Sequence, residues 1–489
     1  MRTEVIRPGI HLLRNEKARR LQEAVMTGAY GDNPHLAMFT HKMHYETGWD
    51  FEGEEDLTVE AYGATLLADG FMTAVALQHC RNVTVKGLTI DLRRRAYSAG
   101  TVVKVGDGFF DIRFQPDEWL SEKMPAPRML FTDPETGQIS SVVNAEVESR
   151  AVKERVGENT FRFFYKLSPS LLGYRAGVMH TWHSCPSILI YEAENITLKD
   201  VTILSHPGMG IVGHRGHNIR LEGVRIVPAE GMTVSTNTDA THFVSCSGEL
   251  IYEGCEFEGC GDDGANIHSF YETILSQTGT NTCETAVLVR TDIHSLKQEY
   301  PLPGDTLEYA RKDDLIPRGT FRVLSSVPDP VSRKCTVELD RPLPDNCTGN
   351  VLTPVNRFPA LRFSGCTVRN NIARGILYRT GNAVIEKTRL EGCTLEGIAV
   401  AAEVWWNESG RSENVLIRDN TCVRCGITVT AEAPALTVPI HKNIRLENNR
   451  IEGNVSIGYV TGLTLENNKI AGSLSIDNCE KIFNKGERK

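Results

Sequence analysis

The stretch NITLKDVTI (195–203) is followed, 23 residues after its first residue, by NIRLEGVRI (218–226). Apolar and polar residues alternate in both, which is the period of a β-strand with one buried face, and a polar or glycine bend interrupts each stretch. The same pattern returns in NVTVKGLTI (82–90), LRFSGCTVRNN (361–371), AVIEKTRLEGC (383–393), NVLIRDNTCVRCG (414–426), NIRLENNRIEGN (443–454) and GLTLENNKIAGS (462–473). Because one such unit cannot bury its apolar face alone, stacked units are expected. The sequence therefore predicts an all-β fold, a right-handed parallel β-helix.

Asparagine and cysteine recur at fixed places in the repeat. Asparagine tolerates the left-handed backbone of a tight corner and can hydrogen-bond along a stack, so we expect corners at Asn82, Asn195, Asn218, Asn448, Asn449, Asn467 and Asn468. We expect an inward column of free thiols at Cys255, Cys366, Cys393 and Cys422. A β-propeller, the alternative, would require four-stranded blades of about 40 residues, a pattern that the sequence does not contain.

Two regions interrupt the repeat and predict the domain organisation. Residues 97–180 and 272–358 contain long hairpin-like strands such as GFFDIRF and GTFRVLSSV, so we expect β-rich insertions, the second a small barrel. We expect residues 61–489 to form the β-helix that carries both insertions. Residues 1–60, with a helix over Glu16–Met26, are expected to cap its end, because an open solenoid end needs a cap.

Composition limits the classes of partner. The net charge of −9 argues against nucleic acid, because no basic excess is available to neutralise phosphates. No run approaches the roughly 18 to 20 apolar residues of a membrane span, so we expect no membrane partner. The N-terminal residues contain no apolar signal segment, so we expect a cytoplasmic protein as the sequence stands, and a secreted or periplasmic one if a leader precedes it. A homo-oligomer is left open.

Three aspartates are expected to meet on one edge of the solenoid. Asp262 and Asp263 lie in GCGDDGANIH (259–268), and Asp239 lies one repeat earlier in STNTDATHF (235–243). Stacked strands are about 4.8 Å apart, so the carboxylates should cluster, and like charges raise one another's pKa. A glycine-rich turn explains one aspartate, but two acidic motifs one repeat apart, each followed by a histidine, indicate an acid–base site. Calcium is the competing interpretation, and we favour a site without metal.

Other polar residues are candidates for substrate contacts. Alternation places Ala265 and Ile267 inside the solenoid, and therefore Asn266 and His268 outside it. The candidates near the acids are Asn237, His242, Asn266, His268, Arg374 and His214. The segment AAEVWWNESG (401–410) adds Glu403, Trp405, Trp406 and Glu408. Adjacent tryptophans in a strand should place one ring inside and leave the other as an exposed platform for a sugar ring.

These motifs resemble those of polygalacturonase-type β-helix hydrolases and, more closely, those of glycoside hydrolase family 110, the inverting α-1,3-galactosidases. The closer resemblance rests on STNTDATHF, GCGDDGANIH, RGILYRT (374–380) and WWNESG in this order, and on LTVEAYGATLLADGF and NVTVKGLTIDLRRRAYSAGTVVKV upstream. It covers roughly residues 55–426. It implies that Asp239, Asp262 and Asp263 are catalytic, that no cofactor is needed, and that exo action releases galactose from an oligosaccharide or glycan.

Inversion requires one group that protonates the departing oxygen and a carboxylate base that activates water about 6.5–9.5 Å away. We place the base in the Asp262–Asp263 pair and leave the acid open between Asp239 and a glutamate from an insertion. The rival functions are another β-helix glycosidase, polygalacturonase-like or specific for a different neutral sugar, a non-catalytic glycan-binding β-helix, and a polysaccharide lyase. An acidic cleft argues against the lyase, because it would repel a uronate unless calcium intervened.

Overall fold

The computed structural model of this chain describes residues 2–27, 46–116, 121–144, 153–289, 298–329 and 331–485. Parts of the predicted cap and of both predicted insertions lie outside these residues. Within them the chain winds through three parallel sheets, and each sheet adds one strand per turn of the winding. The predicted parallel β-helix is therefore confirmed.

Successive strands within each of the three sheets are hydrogen-bonded neighbours. The first sheet contains, in spatial order, Arg2–Val5, Glu55–Glu60, Arg81–Lys86, Glu194–Lys199, His217–Glu222, Ser247–Glu253, Ala360–Ser364, Ala383–Glu386, Glu413–Arg418, His441–Glu447, Val460–Glu466 and Phe483–Lys485. The second sheet contains Gly9–Arg14, Ala64–Asp69, Thr89–Leu92, Thr202–Ile203, Arg225–Ile226, Glu256–Glu258, Thr367–Arg369, Arg389–Glu391, Thr421–Val423, Arg450–Ile451 and Lys469–Ile470. The third sheet contains Thr47–Glu52, Thr73–Gln78, Ile188–Tyr191, Ile211–His214, Thr241–Val244, Ala265–Phe270, Ile376–Arg379, Ile398–Glu403, Ile427–Glu432, Val455–Gly458 and Leu474–Asp477, and Glu408–Ser409 pairs with it off this path.

The core is a set of apolar columns that run along the solenoid. Ile196, Ile219, Leu250 and Leu361 follow one another in register on successive turns, and all four are buried. The predicted cysteine column is confirmed, because Cys255, Cys366, Cys393 and Cys422 belong to this core as free thiols. Burying aliphatic side chains turn after turn supplies the main stabilisation, at about 25 cal/mol per Å² of apolar surface.

Asparagine ladders hold the corners, as predicted. Asn195 Nδ2 donates to Asn82 Oδ1 (2.9 Å), and Asn218 Nδ2 donates to Asn195 Oδ1 (3.0 Å). All three residues have φ between 52° and 55°, the left-handed conformation that asparagine tolerates. A buried ladder of Asn420, Asn449 and Asn468 satisfies backbone groups at another corner.

The first insertion forms an antiparallel sheet, which we call the insertion sheet. Its strands, in spatial order, are Ile139–Asn144, Arg128–Thr132, Arg175–Met179, Tyr97–Gly106, Phe109–Phe114, Thr160–Phe163 and Lys153–Gly157. Phe110, Phe131 and Phe163 pack together in its own apolar core. A 3₁₀ turn at Pro169–Leu171 precedes the strand that returns to the solenoid.

The second insertion forms a closed barrel, as predicted. Its strands, in spatial order, are Glu272–Gln277, Thr282–Ala286, Lys334–Leu339, Pro317–Asp329, Thr306–Ala310 and Val351–Pro354. Leu288–Val289 and Gln298–Glu299 form a separate antiparallel pair, and a 3₁₀ turn spans Val355–Arg357. Closing the sheet into a barrel leaves none of these strands with an unpaired edge.

The predicted N-terminal helix spans Glu16–Thr27. Asn15 caps it, because its Oδ1 accepts the backbone N–H groups of Lys17 (3.0 Å) and Ala18 (3.1 Å). Its apolar face packs on Phe71 and Cys185. Among the described residues, no helix has the length and apolar character needed to cross a membrane.

The chain order places the two insertions on opposite edges of the third sheet. The insertion sheet leaves the solenoid after the second-sheet strand Thr89–Leu92 and returns at the third-sheet strand Ile188–Tyr191. The barrel leaves after the third-sheet strand Ala265–Phe270 and returns at the first-sheet strand Ala360–Ser364. The outward face of the third sheet is therefore flanked by both insertions.

Candidate active site

The three predicted aspartates meet at the corner between the second and third sheets. Asp239 precedes the strand Thr241–Val244, and Asp262 and Asp263 precede the strand Ala265–Phe270. These strands are parallel neighbours, with Thr241 paired to Ala265 and His242 to Asn266. One carboxylate oxygen from each aspartate lies within 4.8 Å of the other two. Stacking of successive turns thus brings together acids that are more than 20 residues apart in sequence.

The glycines of GCGDDGANIH allow the turns to approach closely at the acids. A Cβ on Gly261 would lie 2.1 Å from the carbonyl oxygen of Asn237, on the turn before. A Cβ on Gly264 would lie 2.6 Å from the carbonyl oxygen of Gly375, on the turn after. Any side chain at either position would push the turns apart, so glycine is required by the spacing of the acids.

Burial and mutual repulsion raise the proton affinity of the acid pair. Burial, and next the charge of Asp239, raise the pKa of Asp262 to about 7. Burial and the charges of Asp262 and Asp239 raise the pKa of Asp263 well above its usual range. Asp262 is the one of the three that is only half-buried, while Asp239 and Asp263 are buried. A partly exposed carboxylic acid that keeps its proton near neutral pH is suited to general acid catalysis.

Two arginines partly offset this negative charge. Arg128 reaches the acids from the insertion sheet, donates to the Gly261 carbonyl, and lowers the pKa of Asp262 through its charge. Its guanidinium lies 4.2 Å from the ring centroid of Trp182, which stacks on His183. Arg374 Nη1 lies 3.6 Å from Asp263 Oδ1, and the Arg374 backbone N–H donates to the same oxygen (2.8 Å). Arg374 was predicted to hold sugar hydroxyls, but its side chain is placed between Asp263 and Glu396.

The two predicted histidines join the acids in one hydrogen-bond chain. His242 Nδ1 lies 2.5 Å from Asp239 Oδ2, and His242 Nε2 lies 2.8 Å from His268 Nε2. His268 Nδ1 lies 2.7 Å from the carbonyl oxygen of Ser269. Burial, and then the charges of His242 and Arg379, lower the pKa of His268 to about 3 although Glu408 opposes this, so the His268 ring is neutral.

The two predicted asparagines have different environments. Asn237 is fully buried, and its Nδ2 donates to the carbonyl oxygen of Thr181 (2.7 Å), so it ties the acid loop to the segment after the insertion sheet. Asn266 stands next to His242 on the outward face of the third sheet. Its buried Oδ1 has no hydrogen-bond partner among the described residues. The Oδ1 of Asn237 has no partner among these residues either, but the Nδ2 of Asn237 is bonded to Thr181, so Asn266 is the better candidate for a contact with a substrate hydroxyl.

The segment that contains WWNESG folds back onto the strand that carries His268. Glu408–Ser409 pairs antiparallel with Ser269 and Phe270. Buried Arg379 forms ion pairs with both Glu403 and Glu408, and Glu408 Oε1 lies 3.8 Å from His268 Nε2. The predicted glutamates thus anchor the segment through Arg379, a residue that the sequence pattern did not single out.

The expectation that one tryptophan is buried was wrong. Trp405 and Trp406 lie in a turn rather than a strand, so alternation does not apply, and their exposed fractions are 68% and 67%. Trp405 Nε1 donates to Glu432 Oε2 (3.2 Å), which orients that ring. The two rings present an exposed aromatic surface next to the ion pairs of Arg379.

His214, also predicted as a substrate contact, belongs to a second buried polar cluster beneath the barrel. It pairs with Glu299, which also accepts from Ser245 (3.1 Å) and from Arg357 (3.2 Å). His214 faces Val244, which in turn faces His268, so two strand spacings separate the histidines. This histidine therefore joins the second insertion to the solenoid, away from the three aspartates.

Glu272 of the barrel is buried beside this second cluster. Burial, and next the charge of Glu299, raise the pKa of Glu272 well above its usual range, although Arg215 and Arg357 oppose this. Neither carboxyl oxygen has a hydrogen-bond partner among the described residues. The environment of Glu272 therefore favours its protonated, neutral form.

Two groups of side chains have the composition of metal ligands. They are Asp239 with Asp262 and Asp263, and His242 with His268 and Glu408. The guanidinium groups of Arg128 and Arg374 already offset part of the negative charge of the first group. In the second group the imidazole nitrogens are at hydrogen-bond distance from each other, and Glu408 accepts from Arg379. Hydrogen bonds and ion pairs therefore account for both arrangements.

Comparison with known proteins agrees with this fold. A family model described as a right handed beta helix region matches residues 353–484. A protein named Alpha-1,3-galactosidase A from Bacteroides fragilis is 27% identical over 81% of this chain and 70% of its own length. Another of that name from Streptomyces avermitilis is 25% identical over 83% of this chain and 72% of its own length.

Among solved structures, the family 28 exopolygalacturonase of Yersinia enterocolitica aligns at 11% identity with a TM-score of 0.35, over 99% of this chain and 79% of that one. The two proteins named Alpha-1,3-galactosidase A each match more than 80% of this chain. The chain is thus a right-handed parallel β-helix protein and a homologue of curated alpha-1,3-galactosidases, which confirms its resemblance to glycoside hydrolase family 110.

Proposed function

We propose that this protein is a glycoside hydrolase, an exo-acting α-galactosidase that removes terminal α-1,3-linked galactose from glycans. The observation that carries the proposal is the meeting of three carboxylates, within 4.8 Å of one another, at an edge flanked by two insertions. The names of the homologues support the sugar and the linkage. The exposed Trp405 and Trp406 support a glycan as the ligand, because aromatic faces stack on sugar rings.

The roles of the acids follow from their environments. Asp262 is the proposed general acid, because it is the most exposed of the three and its pKa of about 7 keeps it protonated near neutral pH. Asp239 is the proposed base, because its Oδ1 accepts the Asp263 N–H (3.0 Å) and its Oδ2 faces His242, so the ionised form satisfies both partners. The sequence suggested a base in the Asp262–Asp263 pair and left Asp239 as a candidate acid. The environments of the side chains favour the opposite roles.

The inverting outcome is part of the proposal and rests on the family resemblance. Carboxyl groups about 6.5–9.5 Å apart leave room for the attacking water in most inverting enzymes, whereas retaining enzymes place them about 5–5.5 Å apart. The nearest oxygens of the three aspartates are within 4.8 Å, which is closer to the retaining separation. The stereochemistry of the first product therefore decides between the two mechanisms.

The test is a proton NMR time course of hydrolysis of Galα1-3Gal and of a panel of 4-nitrophenyl glycosides. We expect β-galactose to appear first, and we expect Asp262→Asn to abolish turnover while the far-ultraviolet circular dichroism is unchanged. Asp419→Asn is the matched control, because Asp419 is an exposed turn residue and asparagine tolerates its φ of 56°. If α-galactose appears first instead, the mechanism is retaining and not inverting.

Other outcomes would replace the proposal itself. Cleavage of galacturonides instead of galactosides would favour the polygalacturonase-like alternative. An unsaturated product that absorbs ultraviolet light would favour a lyase. Binding of galactosides without turnover by either the native protein or Asp262→Asn would favour the glycan-binding β-helix.

A further inference from the structure

The hydrogen-bond chain from Asp239 to Ser269 has a fixed direction. A carbonyl oxygen only accepts, so His268 Nδ1 must donate to Ser269. The ring of His268 is fully buried and neutral, so its Nε2 carries a lone pair and must accept from His242 Nε2. The carbonyl at the end of the chain therefore sets the tautomer of both imidazole rings.

The chain holds one proton more than two neutral imidazoles supply. Three hydrogen bonds connect Asp239, His242, His268 and the Ser269 carbonyl, and each needs a proton. Two neutral imidazole rings carry only two N–H protons. The third proton lies between Asp239 Oδ2 and His242 Nδ1, which are 2.5 Å apart. Hydrogen bonds in which one partner is ionised are shorter than those between neutral groups, so the short separation favours an ionised partner here.

We propose that His242 and His268 are positioning residues of the active site, and that they hold this extra proton as a His242 imidazolium that keeps Asp239 ionised. Without that positive charge, Asp239 would stand as one of three crowded acids and would take up a proton from solution. A protonated Asp239 cannot accept a proton from water. The histidine pair thus lets an ionised base exist beside two protonated acids.

Acidic and basic side chains both face the histidine pair. On the side of His242 they are Asp239 and, next to it, Asp262 and Asp263, with Arg128 and Arg374 facing these two. On the side of His268 they are Glu408 and Arg379. The positive charge on Arg379 disfavours a second charge on His268, and the ionised Asp239 favours a charge on His242. The extra proton therefore belongs to His242.

The first experiment measures the protonation state without reference to catalysis, because the positioning role rests on the proposed function. The native protein is labelled with ¹⁵N-histidine and the imidazole signals are assigned with His242→Asn and His268→Gln. We expect both ring nitrogens of His242 to be protonated at neutral pH and His268 to be the neutral Nδ1–H tautomer. A neutral His242 at neutral pH would overturn the proposal whether or not the protein cleaves galactosides.

The second experiment measures the pH dependence of kcat/KM. The amide nitrogen of His242→Asn can donate to Asp239 but carries no charge, so we expect kcat/KM to fall at least tenfold and the acidic limb to move up by about one pH unit. His268→Leu removes the acceptor for His242 and should shift the limb in the same direction. The amide oxygen of His268→Gln restores an acceptor, and we expect it to restore most of the native profile.

His441→Gln is the matched control for replacing a buried histidine. Its Nδ1 accepts the Ser412 N–H (3.0 Å) and its Nε2 donates to the Thr430 carbonyl (2.8 Å), so a neutral ring satisfies both contacts. We expect a lower melting temperature and an unchanged acidic limb. Equal limb shifts in His441→Gln and His242→Asn would overturn the proposal, and so would stoichiometric metal in the purified protein whose removal by chelation changes the His242 and His268 signals.

Discussion

The carboxylate of Asp239 accepts the backbone N–H of Asp263 across one turn of the solenoid, at 3.0 Å. The two acidic motifs are therefore one unit, in which the base is held by the peptide of the acid pair. A change in the spacing of the turns at this point alters the position of all three carboxylates together. This relationship leads to the first prediction.

Gly261→Ala should disable the site through the backbone. Its Cβ would meet the Asn237 carbonyl at 2.1 Å, and backbone on both turns would have to move. We expect kcat/KM to fall by at least about 100-fold, since misplacement of catalytic groups by about 1 Å can have that effect. Gly279→Ala is the control, because its Cβ would find nothing nearer than 3.5 Å. Native activity in Gly261→Ala would contradict this prediction, because it would show that the two turns can move apart without lowering kcat/KM.

Arg128 should control the basic limb of the pH profile. With Asp262 as the acid, kcat/KM should decline above about pH 7, where Asp262 loses its proton. The charge of Arg128 lowers the pKa of Asp262, so Arg128→Met should raise it and move the basic limb upward by about one pH unit. Arg113→Met, on the exposed surface of the insertion sheet, is the control. A downward shift in Arg128→Met would exclude Asp262 as the group that titrates.

Glu272 should make the protein less stable as the pH rises. Its folded-state pKa lies above the unfolded value, so the folded state binds the proton more tightly and the free energy of unfolding falls from about pH 4.5 upward to the folded pKa. Glu272→Gln removes this dependence, so we expect its free energy of unfolding to exceed that of the native protein at pH 8 and to equal it near pH 4.5. Urea unfolding at several pH values measures it.

The control for Glu272 is the exposed Glu249→Gln, for which we expect no difference from the native protein at any pH. A constant difference between Glu272→Gln and the native protein across this range would mean that Glu272 titrates with an ordinary pKa. A loss of stability at pH 8 would show that Glu272 is ionised and paired in the folded state.

Arg379 should be the main anchor of the WWNESG segment. Arg379→Met would leave Glu403 and Glu408 without their cation, and an uncompensated buried charge costs about 3–5 kcal/mol. We expect a loss of that size in urea unfolding. Adding Glu403→Gln and Glu408→Gln to Arg379→Met should recover most of it, because no buried charge then remains. A loss below about 1 kcal/mol in the single variant would argue that water reaches these carboxylates.

Trp405 and Trp406 should act on binding rather than on folding. Both rings are about two-thirds exposed, so replacing them by alanine should leave the melting temperature within about 1 °C of the native value. We expect KM for glycans to rise about fivefold in the double variant, corresponding to about 1 kcal/mol of lost stacking, with kcat unchanged. A lower kcat at unchanged KM would place the rings in the reaction rather than in substrate binding.

Much of the solenoid was predictable because the alternation along each strand and the spacing between turns repeat along the chain. Alternation placed Ala265 and Ile267 inside, and the 23-residue interval between Asp239 and Asp262 predicted that their turns would stack. The same interval explains why His242 stands beside the strand that carries His268. Each of these inferences uses only the strand period and the distance between neighbouring strands.

The residues that were missed come from contacts that have no period. Arg128 reaches the acids from an insertion more than 100 residues earlier, and Arg379 was hidden in an ordinary buried strand. The contact between His214 and Glu299 was not predicted either, because Glu299 lies in the other insertion. The tryptophans were misjudged because the strand ends at Glu403, two residues before the first ring. The repeat does not predict which residues of an insertion or of the WWNESG segment will contact the solenoid.

The insertion sheet and the barrel are both inserted at corners of the solenoid, outside the strands whose pairing sets the spacing of the turns. Substitutions and length changes in the insertion sheet or the barrel can therefore reshape what enters the site without disturbing the interval between the acids. In evolutionary terms, the interval between the acids and most of the surrounding surface can change independently, and Arg128 is the insertion-sheet residue at which the two are joined.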